Sequence, residues 1–157
     1  MFPTKILIAT DASDDAYPAV EAAVELANGT GSELQVVFVV SDAPELPYPV
    51  FIARERYEAF MEQKRLSGLR LLERQVRRVE ELGGSVAVSH YKEGKPEKEV
   101  VELGREIDAG LILTGGRRRT WFGRIFGRGL ASKVRRRADR PVLVVDKRET
   151  QGSAVPK

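Results

Sequence analysis

Residues 5–13 read KILIATDAS, an apolar run followed by small polar and acidic residues. Residues 5–10 form a short, nearly continuous apolar run, which is typical of a strand buried on both faces of a parallel sheet. Small polar and acidic residues follow at once. They favour the first turn of a helix, because their oxygens accept hydrogen bonds from its unpaired N–H groups. The stretch therefore predicts a strand that leads directly into a helix.

The same alternation continues to the end of the chain. Four further apolar runs predict strands at 34–40, 85–90, 109–114 and 141–145. Apolar residues at helical spacing predict intervening helices at 18–27, at 54–82, after Gly94 and Pro96, and within 117–140. Strands that alternate with helices pair in parallel through right-handed crossovers. We therefore predict an α/β fold with a five-stranded, parallel, doubly wound sheet and a ligand cleft at the carboxyl ends of its strands.

The composition excludes several classes of protein and several kinds of catalytic or metal site. The chain has 157 residues, enough for one domain, and it contains no cysteine and a single histidine, His90. Thiolate metal sites, disulfides, histidine clusters and a Ser-His-Asp triad are therefore not predicted. The N-terminus lacks the pattern of a signal peptide, and no apolar run approaches the ~20 residues that span a bilayer. We expect a cytoplasmic protein with no membrane contact.

Positive charge is concentrated in residues 117–140, which hold ten basic residues and one acidic residue, a net charge of +9. Five arginines and a tryptophan mark the first half of this segment: Arg117, Arg118, Arg119, Trp121, Arg124 and Arg128. Three interpretations stay open from the residues alone. The arginines clamp nucleotide phosphates, or bind a nucleic-acid backbone with Trp121 as a stacking platform, or form a solvated face.

Two short segments are candidates for ligand contact. Thr10 and Asp11 lie where the first strand meets the first helix, and there Asp11 either contacts a ribose or a metal ion, or caps the helix. Gly115 and Gly116 follow the fourth strand, where glycine lets a backbone approach a phosphate or simply permits a tight turn. The sequence has no Walker-type G-x-x-x-x-G-K-[ST] run.

At these segments the chain resembles the universal stress protein family, over about residues 3–147. The resemblance rests on four places, which are KILIATDAS at 5–13, residues 31–40, residues 93–96, and residues 108–115 together with 131–134 and 141–145. It implies a Rossmann-like fold of the adenine nucleotide alpha hydrolase type, with strand order 3-2-1-4-5. It also implies one domain over 1–147, a polar tail over 148–157, and a homodimer formed through the strand at 141–145.

The resemblance further implies ATP, with Mg²⁺, as ligand. ATP-binding members carry G-x-x-G, nine residues, then G-[ST]; here these positions hold Gly115, Arg118, Arg128 and Gly129. The two arginines either obstruct the phosphates or supply guanidinium ligands to them. The implied site residues are Ala9, Thr10, Asp11, Val39, Thr114, Gly115, Arg118, Arg128, Gly129 and Leu130.

The function that these residues imply is a small nucleotide-sensing protein of the stress response. No base, nucleophile or metal cluster stands out in the sequence, so we expect no catalytic residue and at most weak ATP hydrolysis. The alternative is a module that binds nucleic acid or an acidic partner through the arginine-rich segment 117–140.

Overall fold

A computed structural model describes residues 5–10, 16–41, 54–115 and 130–145. Strands and helices alternate throughout. The elements are β1 (Lys5–Ala9), α1 (Tyr17–Thr30), β2 (Glu33–Ser41), α2 (Arg54–Glu81), β3 (Val86–Gly94), α3 (Pro96–Glu106), β4 (Leu111–Gly115), α4 (Leu130–Arg137) and β5 (Val142–Val145). Among these helices, none is long and apolar enough to cross a membrane.

The five strands form one parallel sheet in the order β3-β2-β1-β4-β5, which confirms the order implied by the resemblance. The chain builds outward from β1 through β2 to β3, then returns across β1 to place β4 on its other side. The direction of winding therefore reverses between β1 and β4. In open α/β sheets, this switch point is where ligands bind.

Two apolar cores cover the two faces of the sheet. On one face, Ile6 and Ile8 pack with α1 and α2, and on the other face Leu7 and Ala9 pack with α3 and α4. Because β1 is buried on both sides, its sequence shows a continuous apolar run rather than an alternation. The nearly uniform burial of Ile6, Leu7 and Ile8, none more than 1% exposed, confirms this interpretation.

Several element ends differ from the predictions by one to four residues, and three of them have a clear structural cause. Helix α1 continues through Asn28 and Gly29, and it ends where Gly31 adopts a left-handed conformation with φ 71°. Strand β3 continues four residues past His90 because its backbone pairs with β2 as far as Ser41 and Gly94. Gly94 thus ends a strand, with φ 145°, and α3 begins only at Pro96.

Helix α2 is much longer than the strand that it covers. Its 28 residues span about 42 Å. Its buried residues are Gly68, Leu72, Gln75 and Val79. Tyr57 and Phe60, which the sequence places on the same apolar stripe, are 56% and 41% exposed. Among the described residues, the stripe is therefore buried from Gly68 onward, where the helix lies over the sheet.

Candidate functional site

Within the described residues, the carboxyl edge of the sheet contains a step beside β1. Strand β1 ends at Ala9, which pairs with Val37 of β2 and with Thr114 of β4. Strand β2 continues four residues beyond Val37, to Ser41, whereas β4 continues one residue beyond Thr114, to Gly115. Four strand residues project by about 13 Å. The ends of β1 and β4 therefore form a floor, and the end of β2 forms a wall beside it.

The floor consists of small, mostly buried residues. Ala9 is 3% exposed, Thr10 is 9% exposed and Thr114 is 1% exposed. The Thr114 hydroxyl donates a 3.3 Å hydrogen bond to the carbonyl oxygen of Gly115. Two threonines at the ends of adjacent central strands place hydroxyl groups at the switch point while leaving little side-chain bulk above the sheet.

The beginning of α1 lies against this floor. A Cβ atom added to Gly115 would lie 3.6 Å from the Cα atom of Ala16 and 3.7 Å from its Cβ atom. Ala16 is the N-cap residue of α1, and its side chain offers no hydrogen bond to the N-terminal amides of the helix. The positive end of a 14-residue helix therefore approaches the end of β4. This arrangement favours an anionic group near Gly115.

Helix α2 holds the wall from the side. The Lys64 ammonium donates a 2.7 Å hydrogen bond to the carbonyl oxygen of Ser41, the last residue of β2. One turn further along α2, a Cβ atom on Gly68 would lie 2.6 Å from a methyl group of Val40. The projecting end of β2 is thus packed closely by α2, and Val39 packs against the core on the opposite face.

The structure brings together half of the residues implied by the resemblance. Ala9, Thr10, Thr114 and Gly115 form the floor, and Val39 lies in the wall. Leu130 begins α4. The other four residues implied for the site lie outside the described residues, as do all five arginines between residues 117 and 128. Those four site residues are Asp11, Arg118, Arg128 and Gly129.

Sequence reasoning missed Ala16, Lys64 and Gly68. The signal for Gly68 was present, because a glycine within a long amphipathic helix costs stability and so indicates close approach of another group. Lys64 gave no signal, since its hydrogen bond spans 23 residues of sequence. Ala16 gave no sequence signal either, because its contact with Gly115 arises only when the crossover connections bring α1 and β4 together.

His90 lies outside this step and has a structural environment. Its Nε2–H donates a 2.7 Å hydrogen bond to Oε1 of Gln35, whose amide in turn donates a 2.6 Å bond to Glu33. Desolvation of the imidazole, with a smaller contribution from Lys92, lowers the pKa of His90. In the described part of the chain no group of three acidic or histidine side chains could hold a metal ion.

The described part of the basic segment divides into two kinds of residue. Lys133, Arg135, Arg136 and Arg137 are exposed on α4, and none of them makes an ion pair with a described acidic residue. Arg140 is different, because its guanidinium donates to the carbonyl oxygen of Ala109 at 2.8 Å and to Asp139 at 3.0 Å. Arg140 is therefore structural, and the solvated charge of the described part of this segment lies on α4.

Comparisons with known proteins agree with the fold and the sequence pattern. The sequence profile of the universal stress protein family matches residues 3–146. The chain is similar to the universal stress protein MJ0531 of Methanocaldococcus jannaschii, with 32% identity over 143 residues, covering 91% of this chain and 82% of that protein.

Solved structures show the same fold. Universal stress protein UspA from Lactobacillus plantarum is 19% identical, with a TM-score of 0.74, covering 92% of this chain and 99% of that one. A universal stress protein from Archaeoglobus fulgidus, solved in complex with dAMP, is 25% identical with a TM-score of 0.58, covering 93% of this chain and 100% of that one. The fold described above is thus common to these proteins and to this chain.

Proposed function

The chain belongs to the universal stress protein family, and from this premise we propose that it is a nucleotide-sensing stress-response protein whose ligand is an adenine nucleotide. The observation that carries the proposal is the step at the switch point, with a floor at Ala9 and Gly115 and a wall at Val39 to Ser41. We also propose that the protein is cytoplasmic.

The chemistry of the step suits a nucleotide in one orientation. The phosphates lie toward Gly115 and the start of α1, where the backbone is close and the helix end is positive. The ribose lies over the floor at Thr10 and Thr114. The base then meets the wall, where strand backbone offers donors and acceptors. The relative from Archaeoglobus fulgidus supports this proposal, because its structure is a complex with dAMP.

We further propose ATP, carried with Mg²⁺, as the nucleotide, with Asp11 positioned to orient the ion. Of the family's phosphate motif this chain keeps the first glycine, Gly115, and has Arg118 and Arg128 at two other glycine positions. Guanidinium groups bind phosphate oxygens in pairs, so the arginines replace backbone ligands with side-chain ligands. The described residues of the floor include no carboxylate and no imidazole, and we propose binding without efficient turnover.

Mass spectrometry of a denatured extract tests the proposal first. Protein purified without added nucleotide is expected to release ATP or AMP, and the emptied protein is expected to bind ATP again in a calorimetric titration. The variant Gly115→Val should lose this binding, because its branched side chain would extend from a Cβ already 3.6 Å from Ala16 into the floor. Gly29→Val is the matched control, since nothing lies within 4 Å of a Cβ there. No co-purified nucleotide and no binding at millimolar ATP would refute the proposal.

We propose that the protein is a homodimer formed through β5. This strand lies at one edge of the sheet, and Leu143 on it is 40% exposed. An unpaired edge strand with an exposed apolar side chain is a ready surface for pairing with another strand.

The exposed cations of α4 favour a second candidate function, the binding of nucleic acid or an acidic partner. Affinity for a DNA oligonucleotide should fall steeply with salt, and it should fall again when Lys133, Arg136 and Arg137 are changed to alanine. Binding that is unchanged in that variant would rule out this surface.

A further inference from the structure

Lys64 makes a contact that the proposed nucleotide site does not explain. Its ammonium lies 2.7 Å from the carbonyl oxygen of Ser41, in a partly buried setting, and it joins the middle of α2 to the last residue of β2. Beyond Val37, strand β2 has no pairing partner on its β1 side among the described residues, because β1 ends at Ala9. A strand end that is paired on one side only needs another contact to hold its position.

Gly68 brings α2 close enough for this contact. The added Cβ at Gly68 would lie 2.6 Å from Val40 and 2.9 Å from Tyr91, so only glycine lets the helix lie against both strands at this point. Lys64 is one helical turn before Gly68, on the same side of α2. The helix therefore fixes the end of β2 twice, once by packing at Val40 and once by a charge-assisted hydrogen bond at Ser41.

We infer that Lys64 is a positioning residue that fixes the end of β2 and thereby sets the preference of the site for adenine over guanine. This inference rests on the proposed function. It adds a residue that does not touch the ligand and acts through the backbone of residues 39–41.

The chemical reason lies in the edges of the two bases. Adenine presents an amino donor beside a ring acceptor, whereas guanine presents a carbonyl acceptor beside a ring N–H donor. The donors and acceptors of a strand are fixed in sequence along its backbone, so a rigid strand end matches one base and leaves polar groups unpaired against the other. If the strand end moves, both bases find adequate partners and the preference is reduced.

Three variants separate the ammonium from other effects. Lys64→Met keeps the aliphatic chain and removes the donor, and Lys64→Arg keeps a cationic donor. Arg74→Met is the matched control, because Arg74 is exposed on α2 and lies about 80° away around the helix from Lys64. Each variant is measured by amide hydrogen exchange and by titration with ATP and with GTP.

In Lys64→Met, exchange should become about tenfold faster at residues 39–41 while it stays unchanged at residues 34–36. The ratio of ATP affinity to GTP affinity should fall about tenfold, and Lys64→Arg should restore most of it. Arg74→Met should match the wild-type protein in both measurements.

Unchanged exchange at residues 39–41 in Lys64→Met would show that Lys64 does not hold the strand end. An equal loss of ATP and GTP affinity would show a merely structural role, and it too would overturn the inference. Wild-type protein that binds neither nucleotide would refute the proposed function and the selectivity with it. Wild-type selectivity that survives in Lys64→Met would refute this inference alone.

Discussion

Gln75 is a polar side chain inside the core between α2 and the sheet. It is 1% exposed, and its amide nitrogen has no hydrogen-bond partner. A buried, unpaired donor loses its bonds to water and gains nothing in return. Gln75→Met removes the donor at similar length, and we expect the free energy of unfolding to rise by about 1–2 kcal/mol.

Chemical denaturation of both proteins measures this change, and Gln63→Met is its control, because Gln63 is exposed on the same helix. A loss of stability in Gln75→Met would mean that the amide nitrogen has a partner in solution.

His90 gives the molecule a pH-dependent stability. Burial holds the pKa of His90 below its ordinary value of 6.5, with Lys92 lowering it further and Glu106 opposing them. The folded protein therefore takes up a proton less readily than the unfolded chain. The stability contributed by neutral His90 is present above pH 6.5. It is lost as the pH falls through the pKa that His90 has in the folded protein, which is the lower of the two.

We expect the free energy of unfolding to fall more steeply between about pH 7 and pH 5 in the wild-type protein than in His90→Gln. The glutamine amide can still donate to Gln35, so the variant removes the titration and keeps a hydrogen bond. Denaturation curves at a series of pH values measure the difference, and parallel curves would contradict the assignment.

At the scale of elements, two glycines in helices have opposite expected effects. Gly29→Ala in α1 meets nothing within 4 Å, so the higher helix propensity of alanine should add about 0.5–1 kcal/mol of stability. Gly68→Ala in α2 would place its Cβ 2.6 Å from Val40 and 2.9 Å from Tyr91, so we expect a loss of about 1–3 kcal/mol. Thermal unfolding of the two variants compares them directly. Equal effects would mean that α2 lies farther from the sheet.

The order and type of the elements were predictable from the sequence, whereas their ends depend on pairing and packing. The run at residues 5–10 predicted a doubly buried strand because that setting imposes apolar residues on both faces. The extension of β3 from His90 to Gly94 was not predictable, because residues 91–94 are held by pairing with β2 and not by apolar side chains. The exposure of Tyr57 and Phe60 likewise depends on how far the sheet extends beneath α2.

The floor of the candidate site was partly predictable, because Thr10 and Gly115 directly follow or end predicted central strands. The wall was not predictable from the sequence, since its height depends on the register between β1 and β2. That register pairs Ala9 with Val37 and leaves residues 38–41 projecting. A hydrogen bond such as that from Lys64 to Ser41 arises only once the crossover helix is packed on the sheet.

For the whole molecule, the free edge of β5 gives a test of the proposed dimer. The carbonyl of Pro141 accepts a 3.0 Å hydrogen bond from the amide of Ile112, so residue 141 turns its backbone groups toward β4. Because backbone groups alternate in direction along a strand, the N–H and C=O groups of Leu143 point toward β4. The N–H and C=O groups of Val142 and Val144 then point outward. Proline at 144 removes an outward N–H group and spares the bonds to β4.

We expect Val144→Pro to sediment as a monomer in analytical ultracentrifugation, with little change in thermal stability. Leu143→Pro breaks the pairing with β4, and it should instead lose several kcal/mol of stability. A wild-type protein that sediments as a monomer would contradict the dimer, and a Val144→Pro protein that stays dimeric would place the interface elsewhere.

An adenine nucleotide is expected to bind in the step between the ends of β1, β2 and β4. Titration of ¹⁵N-labelled protein with ATP and Mg²⁺, followed by amide chemical shifts, tests both the binding and its place. We predict saturable shifts at Thr10, at residues 39–41 and at Gly115, with β5 and the α3–β4 connection unaffected. Shifts confined to α4, or none at millimolar ATP, would contradict the account.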